Sequence, residues 1–146
     1  MNLREQLIGF EGVRNESYPD ALTNAEPWTI GVGHCGPEVC PGLVWSDRQI
    51  QETLDHDIEE KTQQCQAAFP WFDGLNEPRQ AVIIGMCFQM GLDRLKNFVN
   101  TLAMVQAGNY ERAADGLRNS RWARQTPRRA VALARQMETG EWHVPS

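Results

Sequence analysis

Glu11, Asp20 and Thr29 fall within one short segment, and they are the residue types that acid-assisted cleavage of a glycosidic bond needs. One carboxyl must arrive protonated, a second must act as an anion, and a hydroxyl can help to hold water. Taken singly, none of the three stands out. An isolated glutamate is ordinarily a surface residue, a loop aspartate bonds its own backbone, and a threonine suits any strand. Their order gives them weight, because Thr29 opens the run Thr-Ile-Gly-Val-Gly-His that ends at His34.

The elements that must position them are legible in outline. A helix is expected from about Leu3 to Glu11, with Asn2 as cap, Glu5 at the reciprocal capping position and Gly12 as the stop. Leu3, Leu7 and Glu11 recur every four residues, so Glu11 continues the apolar face. There it meets the negative end of the helix dipole and partial burial, and both disfavour its charged form. Residues 13–45 are rich in Gly, Pro, Asn and Asp with short apolar pieces, which suits a small antiparallel sheet and loops. Ser46 with Gln49 forms a capping box that opens a helix to about Ala67, with Ile50, Leu54 and Ile58 as a narrow stripe suited to a connector. Beyond Pro70 the chain reads helical. Asn76 and Pro78 start a helix whose centre, Ala81 to Phe88, is apolar nearly all round, and further helices are expected at about Thr101–Ala107, Tyr110–Asn119 and Pro127–Glu138. Arg129 falls in the first turn of the last of these, where the dipole disfavours a cation and some partner must compensate.

At 146 residues the chain can bury a core without staples. No apolar run is long enough to cross a bilayer and no signal-peptide pattern opens the chain, so the expectation is synthesis as a soluble protein in the cytoplasm. Net charge is −5, but residues 1–78 hold 14 Asp/Glu against 4 Lys/Arg, and residues 79–146 hold 5 against 10. The basic half is either a solvated face or one that meets an anionic polymer; its arginines lack the interleaved aromatics of a nucleic-acid surface. Of four cysteines, Cys65 and Cys87 read as small core hydrophobes, while Cys35 and Cys40 flank a Gly/Pro loop and could close a ring in an oxidising space. A zinc site at His34, Cys35 and Cys40 lacks a second ligand pair, so no metal or other cofactor is expected.

Across nearly its whole length, Met1 to about Trp142, the chain resembles the phage-type lysozymes, the endolysin muramidases. The resemblance rests on Phe10-Glu11-Gly12, Tyr18 and Asp20, Thr29 to His34, Phe88-Gln89-Met90-Gly91, and Ser120-Arg121-Trp122 with Gln125-Thr126-Pro127 and Arg129-Ala130. It implies a predominantly helical α+β fold: a small sheet lobe (13–45), a connecting helix (46–67) and a helical lobe (68–146 with 1–12), together a single lysozyme domain over 1–146 with a cleft between the lobes. It implies Glu11 as general acid, Asp20 as second carboxylate and Thr29 as its partner in holding the attacking water. It further implies sugar contacts at Cys35, Phe88, Gln89 and Thr101, an ion pair of His34 with Asp57, Trp122 packed beneath the cleft with Gln89 as a partner for its indole N–H, and Arg129 beside Glu11.

The implied activity is hydrolysis of the bond between N-acetylmuramic acid and N-acetylglucosamine in bacterial peptidoglycan, by inversion, leading to lysis of a host cell. The protein would act as a monomer, without membrane insertion or nucleic acid, and a separate holin would release it to the wall. A lytic transglycosylase needs only one glutamate, so Asp20 and Thr29 tell against that rival, and the intact trio tells against an inactive wall-binding module. Two departures bear on substrate preference. The stretch from Leu22 to Trp28 is longer than in the T-even phage member of the family, and Gly116 stands where that member has a sugar-reaching asparagine.

Overall fold

Helix α1 (Leu3–Glu11) ends where the capping logic places it, at Gly12 with φ of 73°. Three strands follow, β1 (Arg14–Tyr18), β2 (Thr29–Gly31) and β3 (His34–Cys35), paired antiparallel in the order β1-β2-β3. The computed structural model that defines these elements describes residues 1–21 and 23–144. The longer stretch expected between Asp20 and Thr29 therefore begins, at Leu22, outside the described residues.

The remainder is helical: α2 (Asp47–Ala68), a 3-10 turn at Phe72–Gly74, α3 (Glu77–Met90), α4 (Leu92–Lys96), α5 (Val99–Gln106), α6 (Tyr110–Arg118), α7 (Arg121–Gln125) and α8 (Pro127–Thr139). The fold is thus α+β and predominantly helical. No helix among the described residues is long and apolar enough to cross a membrane.

By internal contacts the chain divides into two compact units, Arg4–Glu60 and Met1–Leu3 with Lys61–Ser146, the division falling inside α2. The first unit holds the sheet. Its loop from Gly36 to Trp45 is pinned to β1 by Ser17 N–H donating to Leu43 O, Ser17 Oγ donating to Cys40 O and Trp45 N–H donating to Asn15 O. The expected capping box opens α2: Gln49 N–H donates to Ser46 Oγ at 3.1 Å, and Gln49 Oε1 accepts from Ser46 N–H at 2.8 Å. Arg4 bonds Asp55 and Gln51 on α2.

The helical unit has its core on α3 and α8. Residues Ala81 to Cys87 are all buried, as an all-round apolar helix requires. Asn76 caps α3 by accepting from Arg79 N–H, and Pro78 occupies its first turn. Two short helices, α4 and α7, each of five residues, have no counterpart among the helices expected from the sequence. Asn97 and Phe98 close α4 before α5 begins, and Ser120 caps α7 by accepting from Ala123 N–H. Cys65 and Cys87 are fully buried in this unit. Their thiols hydrogen bond to each other, which together with burial pushes the Cys65 thiol up. Cys35 and Cys40 are exposed free thiols.

Candidate active site

Glu11 is the last residue of α1 and is half-buried. Its carboxyl lies against the backbone of Gly33, so closely that a Cβ on that residue would stand 2.3 Å from Glu11 Oε2 and 2.8 Å from its Cδ. Gly33 also has φ of 64°, a conformation that a side chain strains. Both properties demand glycine here, one for the turn between β2 and β3 and one for the approach of the acid. The turn register then follows: Ile30 lies opposite His34 and Thr29 opposite Cys35.

Directly opposed residues of an antiparallel pair share a face. Accordingly Thr29 Oγ1 and Cys35 Sγ lie 3.2 Å apart, with either able to donate. Tyr18, at the end of β1, joins the same neighbourhood. Burial and then the charge of Glu11 push its phenol up, Arg14 opposes them, and Cys35 adds a smaller upward push. Glu11, Tyr18, Thr29, Gly33 and Cys35 therefore converge in one unit.

Asp20 lies two residues beyond β1 and is half-buried. It also does what a loop aspartate ordinarily does. One oxygen, Oδ2, accepts from Thr23 N–H at 3.1 Å, while its backbone N–H donates to Ala25 O and its carbonyl accepts from Asn24 N–H. These bonds tie the aspartate to its turn and fix one carboxylate oxygen.

His34 meets Asp57 of α2, with Nδ1 to Oδ2 at 2.6 Å. A second carboxylate, Glu38, takes the other ring nitrogen at 2.6 Å, a partner the sequence did not signal because Glu38 belongs to an irregular loop. With an acceptor at each nitrogen the ring is held as imidazolium. The bond from Asp57 pushes its pKa up to about 9, burial opposes this, and Glu38 adds to the rise. The ring also packs at 5.4 Å against Trp45. Among the described residues no three His, Cys, Asp or Glu side chains are grouped as metal ligands would be.

The other residues singled out from the sequence lie in the helical unit. Gln89 accepts from Trp122 Nε1 at 2.9 Å, and Phe98 meets the Trp122 ring edge-on. Phe88 is half-buried at the C-terminal end of α3. Thr101 is buried on α5, with its hydroxyl against α6 where Gly116 lacks a side chain; a Cβ there would fall 2.5 Å from Thr101 Oγ1. Arg129 is buried on α8 and donates from Nη2 to Gly85 O at 3.4 Å.

A family model described as phage lysozyme matches residues 8–138. The chain belongs to the phage lysozyme family. It is 32% identical to "Probable T4-type lysozyme 2" of Dictyostelium discoideum over 95% of each chain. It is also 32% identical to "Peptidoglycan hydrolase gp36" of Pseudomonas phage phiKMV, over 93% of this chain and 15% of that protein. "Endolysin" of Bacillus phage B103 is 30% identical over 75% of this chain and 40% of that protein. The chain thus spans less than half the length of those two phage proteins.

Proposed function

We propose that this phage lysozyme hydrolyses the β-1,4 bond between N-acetylmuramic acid and N-acetylglucosamine in bacterial peptidoglycan, with inversion. The observation that carries the reading is Glu11 laid on the Gly33 backbone at the end of α1, in the unit that also holds Thr29 and Asp20. Glu11 donates its proton to the leaving sugar oxygen as the bond from the anomeric carbon breaks. A water attacks that carbon from the opposite face and passes one proton to the Asp20 carboxylate, while its other hydrogen, hydrogen-bonded to Thr29 Oγ1, stays on the new hydroxyl. Exchange with solvent then restores both carboxyls. This requires the two groups to stand about 6.5–9.5 Å apart, leaving room for the water. The chain's own groups supply protonation, positioning and charge, the ingredients such a reaction needs.

Cys35, Phe88, Gln89 and Thr101 are proposed as sugar contacts, with His34, Asp57, Trp122 and Arg129 as supports. The names of the phage relatives favour a wall substrate, and the proposed setting is lysis of a bacterial host. The enzyme would be monomeric, made in the host cytoplasm and released by a holin. Digestion of purified peptidoglycan followed by NMR and mass spectrometry tests the chemistry. Fresh reducing ends of the α configuration are expected; β ends would remove inversion, and anhydro ends would make the protein a transglycosylase.

A further inference from the structure

We infer that Cys35 is a positioning residue that sets the direction of the Thr29 hydroxyl, so that Thr29 presents lone pairs to the attacking water. This rests on the reading of Thr29 under Proposed function. The β2–β3 register pairs the two residues directly, and their side-chain atoms meet at 3.2 Å. Cys35 is exposed, so its thiol adds nothing to the core and its contact with Thr29 is available to chemistry. Cys35 also acts electrostatically on Tyr18, which feels Glu11 in turn, so the thiol belongs to the same cluster as the proposed acid.

The direction of the bond matters. A water that attacks carbon must keep a lone pair for that carbon and point its hydrogens at acceptors. Asp20 is one acceptor and Thr29 Oγ1 the other. A hydroxyl hydrogen aimed at the water would instead take up one of its two lone pairs and leave its second hydrogen without an acceptor, making it a poorer nucleophile. Thr29 has one O–H and two acceptor lone pairs, so its hydrogen must go elsewhere. The Cys35 sulfur is a weak acceptor placed to take it. With the thiol absent, the hydroxyl turns freely and spends part of its time in the wrong orientation.

The test is steady-state kinetics on soluble peptidoglycan fragments for the wild type, Cys35→Ala, Cys35→Ser, Thr29→Ala, the double variant Thr29→Ala/Cys35→Ala, and Glu11→Gln. Cys35→Ala is expected to lower kcat about five-fold, the size of effect one lost hydrogen bond gives, separately from the rise in KM that loss of its proposed sugar contact brings. Cys35→Ser keeps an acceptor and restores kcat to within about two-fold. The double variant should be no slower than Thr29→Ala alone, because the cysteine acts only through that hydroxyl. An unchanged kcat in Cys35→Ala overturns the inference. So does a rise in KM with kcat intact, which would make Cys35 a plain sugar contact. Full turnover in Glu11→Gln would remove the lysozyme mechanism and this inference together, whereas an inactive Glu11→Gln beside a fully active Cys35→Ala removes this inference alone.

Discussion

The two units solve the problem of order differently. Among the described residues, the helical unit buries twenty-one apolar side chains and the sheet-bearing unit only six: Leu7, Ile30, Val32, Val39, Ile50 and Leu54. Charge divides in the same way. The sheet-bearing unit, Arg4–Glu60, carries 12 Asp/Glu and 3 Lys/Arg, while the helical unit carries 7 and 11. A thin core cannot hold loops in place by apolar burial, so the sheet-bearing unit uses polar devices. These are the capping box at Ser46, the Ser17 bonds to the neighbouring loop and the His34 cation between two carboxylates. Each is directional. A proton donor and a water-holding group need placement to a fraction of an ångström, and directional contacts deliver that where an apolar cluster would only deliver compactness. The lesson is that the proposed chemistry resides in the unit held by geometry, and bulk stability resides in the other.

Substitutions can break this contrast. The largest loss of stability is expected in the helical unit: Leu133→Ala, at a fully buried site on α8, should cost about 3 kcal/mol by denaturant titration. Specific turnover of the protein still folded should change little. If it fell in proportion to stability, the division of labour would be wrong.

Asp57→Asn comes next, at about 2 kcal/mol, because it leaves a partly buried imidazolium with one carboxylate in place of two. Its pH dependence has a definite sign. The folded pKa of His34, about 9, exceeds its ordinary value of 6.5, so the cation's contribution is complete below about 6.5 and disappears as pH rises through about 9. Wild-type melting temperature should therefore decline across that window, and the decline should be shallower in Asp57→Asn. Wall lysis by the folded variant should be largely intact. An equal decline in both proteins would show that His34 does not govern the window.

The smallest expected change in stability accompanies the largest local change in the site. Gly33→Ala strains a left-handed backbone by about 1 kcal/mol. The added methyl would also displace the Glu11 carboxyl, and turnover should fall roughly a hundred-fold. Gly12→Ala is the matched control. Its φ is 73° but nothing lies within 4 Å of the added methyl, so it should lose similar stability and keep its turnover. Comparable activity in the two variants would mean that contact with Gly33 does not set the position of Glu11.

Legibility from sequence followed the range of the forces involved. Helices α1, α2, α3 and α8 were readable because their ends are set by residues a few positions apart: Gly12, Ser46 with Gln49, Asn76 with Pro78, and Pro127 in the first turn of α8. Helices α4 and α7 were not, since five residues leave no periodicity to detect. The meeting of His34 with Asp57 came from family resemblance, and Glu38 escaped because its approach to His34 depends on how the loop turns after β3. The Thr29–Cys35 contact was within reach in principle. A tight turn at Val32-Gly33 fixes which residues oppose one another, yet the sulfur carried no signal of its own. The backing of Glu11 by Gly33 belongs to tertiary structure and has no local signature.

In the proposed mechanism, bond cleavage depends on a proton supplied by Glu11. Glu11→Gln keeps the size of the side chain and removes that proton, so the variant assayed on purified peptidoglycan is the most direct trial. The expected result is a folded protein with unchanged wall binding and turnover reduced roughly a thousand-fold or more. Turnover within about ten-fold of the wild type, in a variant of unchanged stability, would contradict the account.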